Sequence, residues 1–367
     1  MKSRSSSLVL LALTVVATAC GGGSSGEEST TTVRVTTAPT TAAPTTSTAA
    51  TTEAPTTTAA PVPRMPLTGL PVVDEAIAER PAIMAKIDNA PGARPQTGLV
   101  MADIVYEENV EQWTRFAAVF HSQGSDPVGP IRSGRTQDIN LGTSLDRPLF
   151  VWSGGNPTVS NLINQSELVN MSVSKAGPDG GYFRSTDKKA PHNLFTSTTN
   201  IWLLDADRGG TPPPQFSYLE EGLPTEGLEA AGAKLKMDGS MKASWEWDAE
   251  SELYLRTHDK SPHVEADGTR VSTNNVVILT CDYKASVADS RSPEAQTVGT
   301  GAAVVLSGGR VIEGTWSRAD SRSAWVLQTT DGQEIRLAPG RTWVELIREG
   351  QAVVVPAGGS VADTPYP

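Results

Sequence analysis

The chain has 367 residues, with 41 Asp and Glu against 30 Lys and Arg, for a formal net charge of −11. That balance excludes general nucleic-acid binding, which needs a basic surface to neutralise phosphates. Only two cysteines and four histidines are present. No paired-cysteine spacing and no H-E-x-x-H pattern occurs, so no metal and no cofactor is expected.

Residues 1–20 read as a lipoprotein signal peptide. Lys2 and Arg4 precede the apolar run "LVLLALTVV", and "ATAC" ends at Cys20. The run falls well short of the roughly 20 residues a membrane-spanning helix needs. A small-small-Cys ending is what lipoprotein signal peptidase cuts, leaving acyl chains such as palmitate on Cys20. Ala17 stands where such motifs more often carry Leu. The plainer alternative is an ordinary secretory signal with a chance cysteine. A lipid anchor on Cys20 implies a cell-membrane protein facing the extracytoplasmic side, with the membrane as its first partner.

Residues 21–64 are Thr/Ala/Pro-rich and lack large apolar residues. Such a segment cannot bury enough surface to offset its ordering entropy, so a disordered linker is expected. Its Pro content favours an extended chain reaching at most roughly 130 Å. Ser/Thr with Pro is also the composition of O-glycosylated stalks.

The expected fold class is α+β. Residues 65–208 form a mixed α/β N-terminal domain with a central sheet. A Gly/Pro-rich connecting segment covers 209–240, a mostly antiparallel β domain 241–355, and a tail 356–367. In the first domain, 81–89, 102–111, 115–123 and 148–156 read as strands. Residues 136–145, 157–166 and 196–208 read as helices, with Pro157 in a first turn and Gly209-Gly210 as a stop. In the second domain, short β-type runs alternate with turn signals such as "TDGQ". Cys281 and Trp316, Trp325 and Trp343 lie in apolar runs and read as core.

No complete catalytic motif is present. "SVSK" (172–175) fits S-x-x-K, but lacks the later S-D-N and K-T-G elements and precedes a glycine-rich loop, so a penicillin-binding reading is rejected. "HDKSPH" (258–263) offers two His and Asp259 in a turn with no further ligand nearby. "VWSGGN" is a strand, a Gly-Gly turn and a helix start. There the N–H groups of Gly154, Gly155 and Asn156 can face an anion, or simply close a tight turn.

Polar residues concentrate at the strand ends of the first domain: Asp88, Asn89, Glu107, Arg115, Arg132, Ser133, Arg135, His192 and Asn193. Arg132 and Arg135 supply guanidinium forks for a carboxylate or phosphate. The alternative is an internal clamp onto Glu107, Glu111 or Asp88. Period-two geometry places Glu107 and Glu111 on one strand face and Glu108 on the other.

The stretch from "RPAIMAKIDNAPGARPQTGLV" through "GPIRSGR" resembles the opening of the YerB-like bacterial lipoproteins, domain of unknown function 3048. "APHNLFTST", "NNVVILTCDY", "GTGAAVVLSGGRVIEGTW" and "DGQEIRLAPGRTWVELI" resemble later parts of that family, so the likeness spans about residues 65–355. "QWT" before Arg115 departs from a Gly-rich segment of the family. The resemblance implies a two-domain envelope lipoprotein and no established activity. Its recurring polar positions match Asp88, Asn89, Arg94, Glu107, Arg132, Ser133, Arg135, His192 and Asn193.

The favoured function is a lipid-anchored module binding an anionic envelope or extracellular ligand. One alternative is an interaction or structural protein that docks an envelope partner. Another is an envelope hydrolase using His192 with Asp88 or Glu107. The residues leave open whether the chain is an enzyme, and no catalytic residue is assigned.

Overall fold

The computed structural model describes residues 62–220 and 222–367. The expected signal peptide, Cys20 and nearly all of the Thr-rich linker lie outside the described residues. Five strands and five short helices build the first part around one edge of a large sheet. The strands are β1 (Ile83–Asp88), β2 (Ile104–Asn109), β3 (Thr114–Phe120), β4 (Leu149–Val151) and β5 (Val169–Asn170). The helices are α1 (Glu75–Glu79), α2 (Gln137–Thr143), α3 (Pro157–Gln165), α4 (Val173–Ala176) and α5 (Thr198–Asp205). A two-stranded ribbon, β6 (Phe183–Arg184) with β7 (Leu194–Phe195), carries a loop between them.

The remaining strands are almost all antiparallel. They are β8 (Leu228–Lys236), β9 (Lys242–Asp248), β10 (Leu253–His258), β11 (Ser261–Pro262), β12 (Ser272–Thr273) and β13 (Asn275–Thr280). After them come β14 (Tyr283–Ser286), β15 (Asp289–Ala295), β16 (Gly299–Ser307), β17 (Arg310–Arg318), β18 (Val326–Thr329), β19 (Thr342–Ile347) and β20 (Ala352–Pro356).

The sequence signals explain these elements. Every residue of β1 is buried because antiparallel β3 and parallel β4 flank it and both its faces are covered. Pro157 opens α3, and the Asn156 side chain accepts from Val159 N at 2.9 Å as its cap. Ser197 caps α5 in the same way through Asn200 N. That helix ends at Asp205 and continues as a tight turn to Arg208, just before the expected glycine stop. Ser172 heads the single turn α4 where a loop was expected, because the turn closes on Gly177.

Both halves share one sheet, ordered β11-β10-β9-β8-β17-β16-β13-β19-β2-β3-β1-β4-β5. Strand β19, from near the C-terminus, lies parallel between β13 and β2. Trp245 of β9 and Phe116 of β3 each meet Trp343 of β19 edge-on at 5.1 Å, so the β8–β10 layer covers one face of the central strands. The other face is covered by α2, α3 and a cluster that includes Trp316 and Trp325. Cys281 is buried there, and burial pushes its thiol up to about 12, so it is an inert core residue. Among the described residues, no helix is long and apolar enough to cross a membrane.

Candidate functional site

Strands β1 and β4 run parallel, and their carboxyl ends open onto the same rim of the sheet, where α/β folds commonly place ligands. A cleft of about 310 Å³ lies there, lined by Asp88, Arg115, Arg132, His192, Trp113 and Gly92 among others. Asp88 ends β1. Its Oδ1 accepts from Ala90 N at 3.1 Å, and its Oδ2 lies 2.7 Å from His192 Nδ1. His192 arrives from the β6–β7 loop and packs flush on Gly92, where an added Cβ would sit 3.0 Å from its Cδ2.

Arg132 Nε stands 3.3 Å from Asp88 Oδ2, and the Arg132 side chain is 25% exposed. Its terminal nitrogens make no hydrogen bond to another described residue. Arg115 is nearly buried and spends one nitrogen on Ser133 O at 2.9 Å. Burial, then the charge of Arg135, lowers its pKa to about 10, so it stays cationic at neutral pH. Two guanidiniums thus share the cleft with Asp88 and with Glu111, the second carboxylate lining it.

Arg135 is a clamp. Its Nε and one terminal nitrogen hold the two oxygens of Glu111 at 2.8 and 2.9 Å. Burial pushes the Glu111 carboxyl up, but the hydrogen bonds and charge of Arg135 outweigh it and hold the group at about 2. Glu111 does not share a face with Glu107, because β2 ends at Asn109 and residues 110–113 turn. Beyond this ion pair lies a second pocket of about 430 Å³, lined by Ser133, Arg135, Gly154, Gly155, Asn156 and Ser292 among others.

The other candidates lie elsewhere. Glu107 points to the opposite sheet face, where Arg256 binds its Oε2 at 2.6 Å and Thr114 its Oε1 at 2.5 Å. Asn89 is fully buried and ties Glu107, Thr114, Arg94 and Gln96 together. Arg94 bonds Asn89 and reaches His258 Nδ1 at 3.2 Å. Asn193 braces the β6–β7 loop through Ser185 and Arg184. The geometry therefore pairs His192 with Asp88 and gives Glu107 to a structural network.

Two buried charge networks escaped the sequence reading. Lys86, inside the apolar run of β1, pairs with Glu108 and Asp138, all three fully buried. Arg256 of β10 pairs with Glu107, whose register partner on β19, Glu345, accepts from Trp245 Nε1 at 2.8 Å. Burial, then the neighbouring Glu107 charge, pushes Glu345 well above the ordinary carboxyl range. A lone Lys or Glu within an apolar strand was the available signal in each case. Among the described residues, no group of His, Cys, Asp and Glu could hold a metal.

Comparison with known proteins decides the family. Residues 67–210 match the model described as "Protein of unknown function (DUF3048) N-terminal domain", and residues 233–344 match the corresponding C-terminal domain. The chain belongs to the DUF3048 family. A Bacillus subtilis (strain 168) member named "Putative lipoprotein YerB" is 28% identical over 303 residues, covering 80% of this chain and 89% of that protein. The crystal structure of Bacillus subtilis YerB protein matches with a TM-score of 0.70 at 25% identity, over 79% of this chain and 99% of that one. The resemblance read from "PAIMAKIDN", "APHNLF" and the later motifs therefore holds, and so does the α+β class.

Proposed function

We propose that this DUF3048 protein is a lipid-anchored envelope protein whose cleft at the end of β1 and the β2–β3 turn binds an anionic ligand. One observation carries the reading: Arg115 and Arg132 face Asp88, and the other carboxylate lining the cleft, Glu111, is already paired with Arg135, so the cleft holds an excess positive charge inside an acidic chain. His192 Nε2 adds a third polar atom on the same wall. Arg135 is spent on Glu111 and contributes nothing to the excess. The lipid anchor on Cys20 is supported by the relative's name and by the N-terminal sequence.

The test is thermal unfolding of the full chain with phosphate, pyrophosphate and small carboxylates. A ligand that binds only the folded state stabilises it by about 2.7 kcal/mol at a hundred times its dissociation constant. A rise in Tm that vanishes in Arg132→Ala supports the reading. The absence of any rise, with Arg132→Ala unchanged from the parent, refutes it.

A second reading rests on the Asp88–His192 hydrogen bond. A carboxylate that holds Nδ1–H leaves Nε2 free as a base, as in hydrolases. The one hydroxyl in the cleft wall, Thr114 Oγ1, is committed to Glu107, so water would be the nucleophile. Phosphodiester or ester turnover that disappears in His192→Ala would establish it.

A further inference from the structure

The pocket beyond the Glu111–Arg135 pair differs in chemistry from the cleft. Its charges are already matched: Arg135 holds Glu111, and Arg291 holds Asp289 at 3.1 and 2.9 Å. The rest of the lining is serine hydroxyls and the Gly154–Asn156 backbone, with Val159 and Ala288 as small apolar patches. Ser292 lines it and is 2% exposed, and its Oγ has no hydrogen-bond partner among the described residues. A buried hydroxyl without a partner is costly, so a ligand that supplies one is favoured. The N–H groups of Gly154, Gly155 and Asn156 likewise make no hydrogen bond within the described residues. Gly154 adopts φ 112°, and a Cβ there would meet nothing within 4 Å, so the turn presents open backbone.

The pocket and the cleft are neighbours. Arg132 lines one and Ser133 the other, and these consecutive residues have Cα atoms about 3.8 Å apart. Glu111 lines both. The hydroxyls, amides and neutralised ion pairs of the second pocket complement a polyol, in which each hydroxyl both donates and accepts.

We propose that the two form one bipartite site for a saccharide carrying an anionic substituent. The sugar ring lies in the serine-lined pocket, and its phosphate or carboxylate lies on Arg115 and Arg132. The inference rests on the anion reading of the cleft and adds the identity of what the anion is attached to.

Calorimetric titration of the full chain in detergent tests it, with glucose 6-phosphate, glucuronic acid, glucose, inorganic phosphate and acetate as probes. The expected result is that glucose 6-phosphate or glucuronic acid binds at least tenfold more tightly than glucose and than its bare anion. Whichever of the two prevails identifies the substituent as phosphoryl or carboxyl. Ser292→Ala is expected to remove most of that gain while leaving bare-anion binding unchanged and Tm no lower than the parent's, since its unpartnered hydroxyl holds nothing in the fold. Sugar derivatives that bind no better than the bare anions, or a gain that survives Ser292→Ala, would overturn the inference and leave the anion reading standing. If no anion binds and Arg132→Ala changes nothing, both fall.

Discussion

His192 Nδ1 lies 2.7 Å from Asp88 Oδ2, although 104 residues separate the two in the chain. The same Asp88 oxygen lies 3.3 Å from Arg132 Nε. Asp88 therefore does two things at once: it orients an imidazole and offsets one of two guanidiniums.

That double role separates the binding and hydrolase readings in one variant. Asp88→Asn removes a negative charge from the cleft while keeping its shape. Coulomb attraction between the cleft and an anion then increases. Phosphate affinity is expected to rise several-fold in calorimetric titration. Any hydrolytic rate that depends on an oriented His192 is expected to fall in the same variant.

Arg135→Ala tests the clamp. The pair is partly exposed, so the loss of stability in urea is expected to be about 1 kcal/mol. Glu111 has a depressed pKa when folded, so it stabilises the fold above its ordinary value. That contribution is lost as pH falls through about 2. Urea titrations from pH 5 to pH 2 should show less acid destabilisation in Arg135→Ala than in the parent.

Arg256 is fully buried, with its guanidinium over Trp343 at 5.1 Å and bonded to Glu107. Removing it strands a buried carboxylate. Arg256→Met is expected to cost about 3–5 kcal/mol in chemical denaturation. Adding Glu107→Gln should recover a large part of that loss, because the stranded charge disappears with it.

His263 accepts from Arg256 through Nδ1 and bonds Gln96 through Nε2, nearly out of contact with solvent. Burial, then the Arg256 charge, pushes its pKa well below the usual imidazole value. The unfolded chain takes up a proton near pH 6.5 and the folded chain does not. Stability from this residue is therefore complete above pH 6.5 and falls as pH drops below it. His263→Gln should flatten the stability profile between pH 6.5 and 5, as read by urea midpoints.

The local elements were legible because their signals are local. Apolar runs gave β1, β2 and β3, and Pro157 gave the start of α3. The opposite facing of Glu107 and Glu108 followed from strand periodicity, Glu107 meeting Arg256 and Glu108 meeting Lys86. Glu111 was misplaced because nothing local marks the end of β2 at Asn109. The insertion of β19 beside β2 was not legible, since strand order is set by packing between distant segments. For the same reason the sequence left open whether His192 meets Asp88 or Glu107, and whether Arg132 and Arg135 share a task. They do not: the irregular segment 132–135 sends Arg132 into the cleft and Arg135 onto Glu111.

Calorimetric titration of inorganic phosphate into the full chain, its Arg132→Ala variant and its Arg135→Ala variant tests the anion site most directly. Binding by the parent, a loss of tenfold or more in Arg132→Ala, and retention in Arg135→Ala are expected. Equal binding by the parent and a folded Arg132→Ala, or no binding by the parent at all, would contradict an anion site between Asp88, Arg115 and His192.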